Sequence, residues 1–162
     1  MKLLPLAACA LLLGCDGVVG LLPDTPAEPP SAEWGAMLAA VNRLRAEGRD
    51  CGGEHYGPAP PLVWNGRLES AATAHTRDMA AHGHFAHVGT DGSTVGDRVS
   101  RTGYAWRRVG ENIARYQDSV EEVVSDWAAS PGHCANLMNP SYVEFGAAEE
   151  DRYWTQVFAR PR

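Results

Sequence analysis

The hydrophobic residues of this chain fall largely on positions three and four residues apart. In the first such stretch they form one apolar face, as in an amphipathic helix, at Trp34, Met37, Leu38, Val41 and Leu44. Capping and stop residues mark where such stretches begin and end. The pattern predicts helices over residues 32–47 after Ser31, from Asn65 to near Gly83, over Val95 to Ser100 as a short helix, and from Asp118 or Ser119 to a stop at Pro131-Gly132.

The spacing changes to alternation near the C-terminus. Residues 143–147 alternate apolar with polar or small side chains, and Tyr153 to Phe158 is rich in aromatic and β-branched residues. The polar residues 149–152 predict the turn of a hairpin between these runs, and Val109 to Tyr116 predicts one earlier strand. The Gly- and Pro-rich residues 52–61 are interpreted as a loop. Because helices come first and paired strands last, the pattern favours an α+β sandwich over an alternating α/β fold.

The N-terminus has the order of a bacterial export signal. Lys2 precedes an apolar run of 11 residues, Leu3 to Leu13, which is too short for a membrane span of about 20 residues. The Leu-Leu-Gly-Cys sequence that ends at Cys15 resembles a lipobox. It predicts export to the cell envelope, facing the periplasm or the surface, with a lipoprotein-type signal peptide over residues 1–14, a membrane anchor through lipid on Cys15, a Pro-rich tether over residues 15–30, and a folded domain over residues 31–162.

The charge balance bears on possible partners. The chain carries 20 Asp and Glu against 14 Lys and Arg, a formal net charge of −6. Binding to a phosphate backbone needs a basic face whose attraction survives salt. We therefore expect no nucleic-acid partner.

Two cysteines, Cys51 and Cys134, belong to the predicted domain. With Cys9 in the signal peptide and Cys15 lipidated, they form an even pair in an oxidising compartment, which favours a disulfide. The alternative is a Cys-His nucleophile, because His133 immediately precedes Cys134. Side chains of adjacent residues usually diverge, so the disulfide is the preferred interpretation.

The six histidines raise the question of a metal site, since His82, His84 and His87 lie close together. The His-Glu-x-x-His helix of zinc proteases is absent, as are a Gly-rich phosphate loop and a Gly-x-Ser-x-Gly nucleophile elbow. His75 is expected on the apolar face of the second helix as a hydrogen-bonded core residue, and His82 and His84 as exposed side chains at the end of that helix. These patterns alone assign no catalytic residue.

Four further motifs follow one another along the chain. They are His84-Phe85-Ala86-His87 with Asp91-Gly92, then Gly110-Glu111-Asn112-Ile113-Ala114, then Trp127 to Pro140 with Pro131-Gly132-His133-Cys134 inside it, and finally Tyr153-Trp154-Thr155-Gln156-Val157-Phe158. In this order they closely resemble the CAP superfamily of cysteine-rich secretory, antigen 5 and pathogenesis-related 1 proteins. The resemblance is to the short bacterial branch with SCP-like extracellular domains, and it covers about residues 34–159.

The resemblance implies an α-β-α sandwich with a small antiparallel sheet, and a solvent cleft lined by two histidines and one or two acids. Family members hold a divalent metal there, often zinc. Matched motif by motif, the metal ligands are His87, Glu111 and His133. Long members carry a second acid where this chain has Ser130. Two imidazoles and one carboxylate would leave an open water position, which is acceptable chemistry for zinc.

The same resemblance bears on residues outside the metal set. A disulfide at the positions of Cys51 and Cys134 occurs in some bacterial members, where it joins the end of the first helix to the Pro-Gly-His-Cys segment. Asn112 and Asn136 lie inside matching motifs. We interpret both as structural, because asparagine side chains hydrogen-bond to otherwise unpaired backbone groups.

Three functions fit these features. The first is a non-enzymatic, lipid-tethered module that binds a protein, an envelope component or a small apolar ligand and has a metal-capable cleft; the missing nucleophile motif supports it. The second is a metal-dependent hydrolase in which a zinc-bound water attacks and Glu111 acts with His87 and His133 as ligand or base. The third is a structural envelope domain whose His and Glu cluster is a buried hydrogen-bond network.

Overall fold

The computed structural model describes residues 28–162. The predicted signal peptide, the lipidation site Cys15 and the tether up to residue 27 lie outside the described residues. The helices are α1 (Ala32–Glu47), α2 (Gly66–His82), α3 (Val95–Arg101), α4 (Val120–Ala129) and α5 (Pro131–Met138). The strands are β1 (Arg49–Cys51), β2 (Glu54–Tyr56), β3 (Val63–Trp64), β4 (Trp106–Arg115), β5 (Glu144–Glu150) and β6 (Tyr153–Pro161). None of these helices is long and apolar enough to cross a membrane.

The helices begin at the capping residues that the sequence predicts. The side chains of Ser31, Asn65 and Ser119 each accept hydrogen bonds from backbone N–H groups in the first turn of α1, α2 and α4. Such caps contribute about 1 kcal/mol each. At the other end of α2, Gly83 adopts a left-handed conformation, as a helix stop requires.

The central sheet has four strands in the order β3-β5-β6-β4. Strand β6 is antiparallel to both of its neighbours, and the two-residue β3 runs parallel to β5. The predicted hairpin is therefore confirmed as β5 and β6, with Asp151 and Arg152 at positive φ in its turn. The sheet is antiparallel, as expected, except for the short parallel strand β3. Among the described residues, β4 pairs with β6 alone, so it forms an edge of the sheet.

Helices cover both faces of this sheet. On one face, α1, α4 and α5 contribute to a core that includes Met37, Val41, Val123, Trp127, Leu137, Phe145 and Phe158. On the other face, α2 and α3 build a second core that includes Leu68, Ala72, Val99, Ala148 and Val157. Neighbouring strand residues such as Phe158 and Val157 belong to opposite cores, because side chains alternate along a strand. The predicted α+β class and the three-layer α-β-α arrangement are confirmed.

Two elements depart from the sequence prediction. The segment expected as a loop from residue 52 begins as the turn of the β1–β2 hairpin, in which Gly52 and Gly53 have φ values of 62° and 96°. Pro131 does stop α4, as predicted, but it also begins α5. A proline is favourable in the first turn of a helix, where its missing N–H is not needed. The additional helix α5 affects the candidate functional site, because it carries His133.

Gly146 allows α2 to lie directly on β5. A Cβ atom at this position would overlap the backbone of Leu68 and Glu69 in the first turn of α2. Glycine is therefore required for this close approach. The contact holds α2, and with it His75, against the sheet.

Arg45 ties α1 to two later segments of the chain, one before β3 and one at the end of α5. Its guanidinium donates hydrogen bonds to the carbonyl oxygens of Leu137 at 2.6 Å, Pro60 at 2.8 Å, Asn139 at 3.1 Å and Tyr142 at 3.2 Å. Burial lowers the pKa of Arg45 to about 10, so the side chain is still charged at neutral pH. These four acceptors replace the water that a buried cation loses. The C-terminal end of α5 is thereby fixed.

Candidate functional site

Glu111 lies on β4 with its carboxylate inside the protein. Its side chain is only 2% exposed. It points toward the α2 and α3 layer, where it meets His75 and Arg98, whereas the side chain of the next residue, Asn112, hydrogen-bonds to α5. This alternation is that of a regular strand. It places one carboxylate at the edge strand of the sheet, between the two helical layers.

Both oxygens of the Glu111 carboxylate are engaged. Oε1 accepts a hydrogen bond from His87 Nδ1 at 2.8 Å, and Oε2 accepts one from Arg98 Nη2 at 2.7 Å. Since the Arg98 side chain is only 4% exposed, this pair is a buried salt bridge. His75 Nε2 lies 3.8 Å from Oε1. The negative charge of Glu111 is thus balanced inside the protein.

Arg98 is the residue of the site that sequence reasoning missed. Thr94 begins α3 with a capping box that it completes with Asp97, and Arg98 follows with its side chain turned inward. Its guanidinium also donates to the carbonyl oxygens of His87 at 3.0 Å and Ser93 at 2.8 Å. Arg98 therefore fixes the segment between α2 and α3. Nothing in a short polar helix distinguishes such an arginine from an exposed one.

His87 is the exposed imidazole of the site, with 58% of its side chain accessible. A carboxylate only accepts hydrogen bonds, so the contact with Glu111 places a proton on Nδ1 of His87. In the neutral ring, Nε2 then carries the lone pair. In many metal sites, a carboxylate that accepts a hydrogen bond from one nitrogen of a histidine orients the other nitrogen toward the metal.

His133 lies in the first turn of α5 and is half-buried. Burial lowers its pKa, and the nearby His87 imidazole adds to this effect because two positive rings would repel each other, so the His133 ring is neutral at physiological pH. The carbonyl oxygen of His133 accepts a hydrogen bond from Asn112 Nδ2 at 3.2 Å. Among the described residues, no hydrogen bond or ion pair joins the His133 ring to Glu111. Its placement beside the site therefore depends on how α5 is held.

The next residue, Cys134, is bonded to Cys51 across a Cα–Cα distance of 5.5 Å. The predicted disulfide is confirmed. The alternative of a Cys-His nucleophile is wrong, because the sulfur of Cys134 is already bonded and the residue is fully buried. The disulfide joins α5 to β1 and so anchors the turn that carries His133.

Asn112 and Asn136 have the structural roles expected of them. Asn136 Nδ2 donates to the carbonyl oxygen of Glu111 at 3.1 Å and to Asn112 Oδ1 at 3.0 Å. From α4, Trp127 Nε1 donates to the carbonyl oxygen of Ile113 at 3.1 Å. Side chains of α4 and α5 thus hydrogen-bond to the edge strand, which positions both helices against Glu111.

His75 is buried in α2, as predicted, but its environment differs from the expected one. Within residues 28–162, neither of its ring nitrogens has a hydrogen-bond partner. Burial lowers the pKa of His75 despite the nearby Glu111, so the ring is neutral at physiological pH. His82 is exposed, as expected, whereas His84 is half-buried, and neither contacts this network.

Imidazole nitrogens are the donors that this site offers to a divalent metal, because both oxygens of Glu111 are already engaged. In the part of the chain that the structure describes, no three His, Cys, Asp or Glu side chains surround a common metal position. The groups that fit are the imidazoles of His87 and His133, and Ser130 lines a groove together with His133. The three-ligand set with Glu111 that the sequence suggests stays a prediction.

The buried imidazoles make stability depend on pH. The pKa values of His75 and His133 are lowered by folding, so below the ordinary histidine pKa of about 6.5 the unfolded chain binds more protons than the native one. We expect the free energy of unfolding to have its full value above about pH 6.5 and to decrease as the pH falls below that value. Carboxylates with a lowered pKa, such as Asp97, stabilise the fold above about pH 4 and lose this contribution only below it, so they do not affect the range above pH 5.

Urea unfolding at about pH 7.5, 6.5 and 5.5 measures this dependence. His75→Leu should make it shallower, whereas His55→Gln, at an exposed site, should leave it unchanged. Stability that increases on acidification across this range would contradict the assignment of two buried neutral rings.

Comparison with known proteins identifies the family to which this fold belongs. The family model CAP, described as the cysteine-rich secretory protein family, matches residues 38–158. The chain belongs to the CAP family. The uncharacterized protein YkwD of Bacillus subtilis is 34% identical over 100 residues, which are 60% of this chain and 39% of that protein. The uncharacterized membrane protein YlbC of the same organism is 29% identical over 99 residues, 61% of this chain and 29% of that protein. This CAP chain thus spans less than half the length of these curated relatives.

Solved structures show the same CAP fold. A crystal structure of an extracellular protein containing a SCP domain from Bacillus anthracis has a TM-score of 0.70 and 26% identity, over 83% of this chain and 45% of that one. An outer surface protein from Borrelia burgdorferi also has a TM-score of 0.70, with 16% identity, over 83% of this chain and 97% of that one. At such low identity, the similarity to the Borrelia burgdorferi protein concerns the fold alone.

Proposed function

We propose that this CAP domain is exported, is tethered to the bacterial envelope through lipid on Cys15, and acts as a non-enzymatic binding module. The export-type N-terminus supports this proposal. So does the extracellular description of its structural neighbour from Bacillus anthracis. Its partner is a protein, an envelope component or a small apolar ligand, and its cleft binds a divalent metal such as zinc.

The observation that carries the proposal is the engagement of both Glu111 oxygens. A general base needs a free carboxylate oxygen within reach of the water it deprotonates. Here Oε1 contacts His87 and Oε2 contacts Arg98. Since neither oxygen faces the cleft unpaired, the geometry favours holding a ligand over activating a water. The hydrolase is the alternative that the experiment below separates from binding.

His87 and His133 would hold the metal. Neutral imidazole is a preferred zinc donor, and both rings are half-buried or exposed rather than enclosed. Glu111 would hold the proton on Nδ1 of His87, and Arg98 would hold Glu111 in place. A bound metal would offer open positions to an oxygen of the ligand. With two protein ligands, we expect affinity in the micromolar range.

Zinc titration by calorimetry tests this arrangement. We expect the wild type to bind one zinc ion per chain and a His87→Ala/His133→Ala double variant to lose that binding, because both donors are removed. His55→Ala, which removes an exposed imidazole from the β1–β2 hairpin, is the matched control and should bind as the wild type does. Equal binding by the double variant would contradict the metal assignment.

Glu111→Gln separates the two functional classes. Loss of the orienting carboxylate should weaken zinc binding about 10- to 100-fold. If the zinc-loaded wild type hydrolysed peptide or ester substrates, and Glu111→Gln abolished hydrolysis while still folded, the hydrolase would replace the binding module as the function of this cleft.

A further inference from the structure

A groove of about 390 Å³ lies beside His133, between the end of β4 and helix α4. Its lining combines the apolar side chains of Ile113 and Trp127 with the polar groups of Ser130, His133 and Arg115. Such a mixture of apolar surface and a few directed polar groups is typical of ligand sites. Arg115 has the most distinctive environment of these residues.

Two aromatic rings hold the guanidinium of Arg115. Its central carbon lies 4.8 Å from the ring centroid of Phe85 and 4.8 Å from that of Tyr116. Phe85 packs in turn against Tyr153, with ring centroids 6.5 Å apart. Cation–π contacts of this kind restrict a side chain that would otherwise sample many rotamers. Arg115 is therefore ordered before any ligand arrives.

These two rings are themselves unusual. Phe85 and Tyr116 are 38% and 58% exposed, and among the described residues only Val88 joins them as an exposed large hydrophobic side chain. Tyr116 also adopts a φ of 81°, a conformation that costs a residue with a Cβ atom about 1 kcal/mol. Glycine or asparagine would adopt it more easily. An aromatic side chain at this strained position serves the stack on Arg115.

The side-chain donors of Arg115 are free. Arg77, Arg98, Arg101 and Arg152 each pair with a carboxylate. No hydrogen bond or salt bridge of the Arg115 guanidinium occurs anywhere in residues 28–162. Stacking uses the faces of the guanidinium and leaves its N–H groups available in the plane, where they match the two oxygens of a carboxylate. An ordered, unpaired guanidinium is a preorganised carboxylate site.

Two side chains near Arg115, those of Asp126 and Gln117, limit the kind of ligand that could supply this carboxylate. Asp126, also in the lining, accepts a hydrogen bond from Gln117 Nε2 at 2.8 Å, and its charge disfavours ligands with many negative groups. Gln117 Oε1 is buried and, within the described residues, has no hydrogen-bond partner. A buried acceptor without a donor is costly, so a ligand N–H group in the groove, toward which the Gln117 side chain would turn, is favoured. A single carboxylate together with amide N–H groups is the chemistry of a peptide end.

We propose that this groove binds the end of a short peptide, with its free C-terminal carboxylate paired to Arg115. The peptide N–H reaches Gln117, and the chain lies over Ile113 and Trp127 toward His133. This inference rests on the proposed binding function and names the ligand class of that module. It does not require the metal, because Arg115 and Gln117 are outside the set of metal donors.

The test is an NMR titration of the full-length protein with N-acetyl-alanyl-alanine and, separately, with its C-terminal amide. We expect the carboxylate form to bind about tenfold more tightly or better, because a charge-assisted bidentate pair is lost in the amide. The Arg115 Nε–H and the backbone of Ser130 should shift on binding. Arg115→Gln should abolish the preference, and Arg108→Gln, at an exposed arginine of the same strand outside the groove, should retain it.

A second variant tests the aromatic stack. Tyr116→Asn suits the positive φ but removes one ring, so it should weaken carboxylate binding while the protein stays folded. Equal affinity for the two peptides, a preference that survives Arg115→Gln, or no binding of either peptide at millimolar concentration would overturn the inference. Zinc titration of the same sample keeps the two proposals apart. Zinc binding without a carboxylate preference overturns this inference alone, and the reverse result overturns the metal assignment alone.

Discussion

Reduction of the Cys51–Cys134 disulfide is expected to lower the free energy of unfolding by about 4 to 5 kcal/mol. The bond joins residues 83 positions apart, so its loss returns a large amount of conformational freedom to the unfolded chain. Native contacts around it are well packed, with Cys134 and Met138 fully buried. For a domain of this size, such a loss is a large part of the total stability.

The same reduction should affect His133 more than the rest of α5. Arg45 fixes the C-terminal end of that helix through Leu137 and Asn139. The N-terminal turn depends on the disulfide and on the hydrogen bond between Asn112 and the carbonyl oxygen of His133. We therefore expect zinc binding to weaken in the reduced protein even where it is still folded.

Urea unfolding with and without reductant measures the stability effect. A Cys51→Ala/Cys134→Ala double variant provides the control, because it should have the stability of the reduced wild type and no response to reductant. If the unfolding midpoint stayed unchanged after mass spectrometry had confirmed complete reduction, the stabilising role given to this bond would be wrong.

Arg98→Met is expected to destabilise the protein by about 3 to 5 kcal/mol. The variant keeps an unbranched apolar stem similar to that of arginine but leaves the Glu111 carboxylate buried without its cation. It also removes the donor to the carbonyl oxygens of His87 and Ser93. Breaking one side of a buried ion pair is costly because the other charge keeps its desolvation penalty.

Arg77→Met is the matched control for this measurement. Arg77 pairs with Glu150 at 2.9 Å, but the two side chains are 68% and 47% exposed, so its loss should cost less than about 1 kcal/mol. An Arg98→Met/Glu111→Gln double variant should be more stable than the sum of the two single effects predicts, because the unpaired charge is gone. Similar small effects of Arg98→Met and Arg77→Met would show that Glu111 does not depend on Arg98.

Much of the fold follows from local sequence signals. The caps Ser31, Asn65 and Ser119 and the helical spacing after them locate three helices correctly. Pro131 is ambiguous because a proline both ends one helix and begins another, and only the packing of α5 on α4 decides between these roles. The β1–β2 hairpin does have a signal, the Gly52-Gly53 pair, but its strands of three residues are too short to show alternation.

The candidate site is only partly visible in the sequence. His87, Glu111 and His133 are identified through the motif resemblance, and the structure joins the first two by a hydrogen bond. Arg98 and His75 come to Glu111 from α3 and α2, so their contacts arise from tertiary packing across the sheet. No local pattern records such contacts. The stack on Arg115 likewise needs Phe85, which comes from a distant segment of the chain.

If Glu111 orients the His87 imidazole to bind metal, the proton of that ring must lie on the nitrogen that faces Glu111. Long-range proton–nitrogen NMR of the histidine rings at about pH 7.5 distinguishes the two neutral tautomers. We expect a protonated Nδ1 and a free Nε2 on His87. Zinc should shift the free ring nitrogens of His87 and His133 and leave the exposed His55 unchanged. A proton on Nε2 of His87, or zinc addition that leaves both rings unaffected, would contradict this role of Glu111.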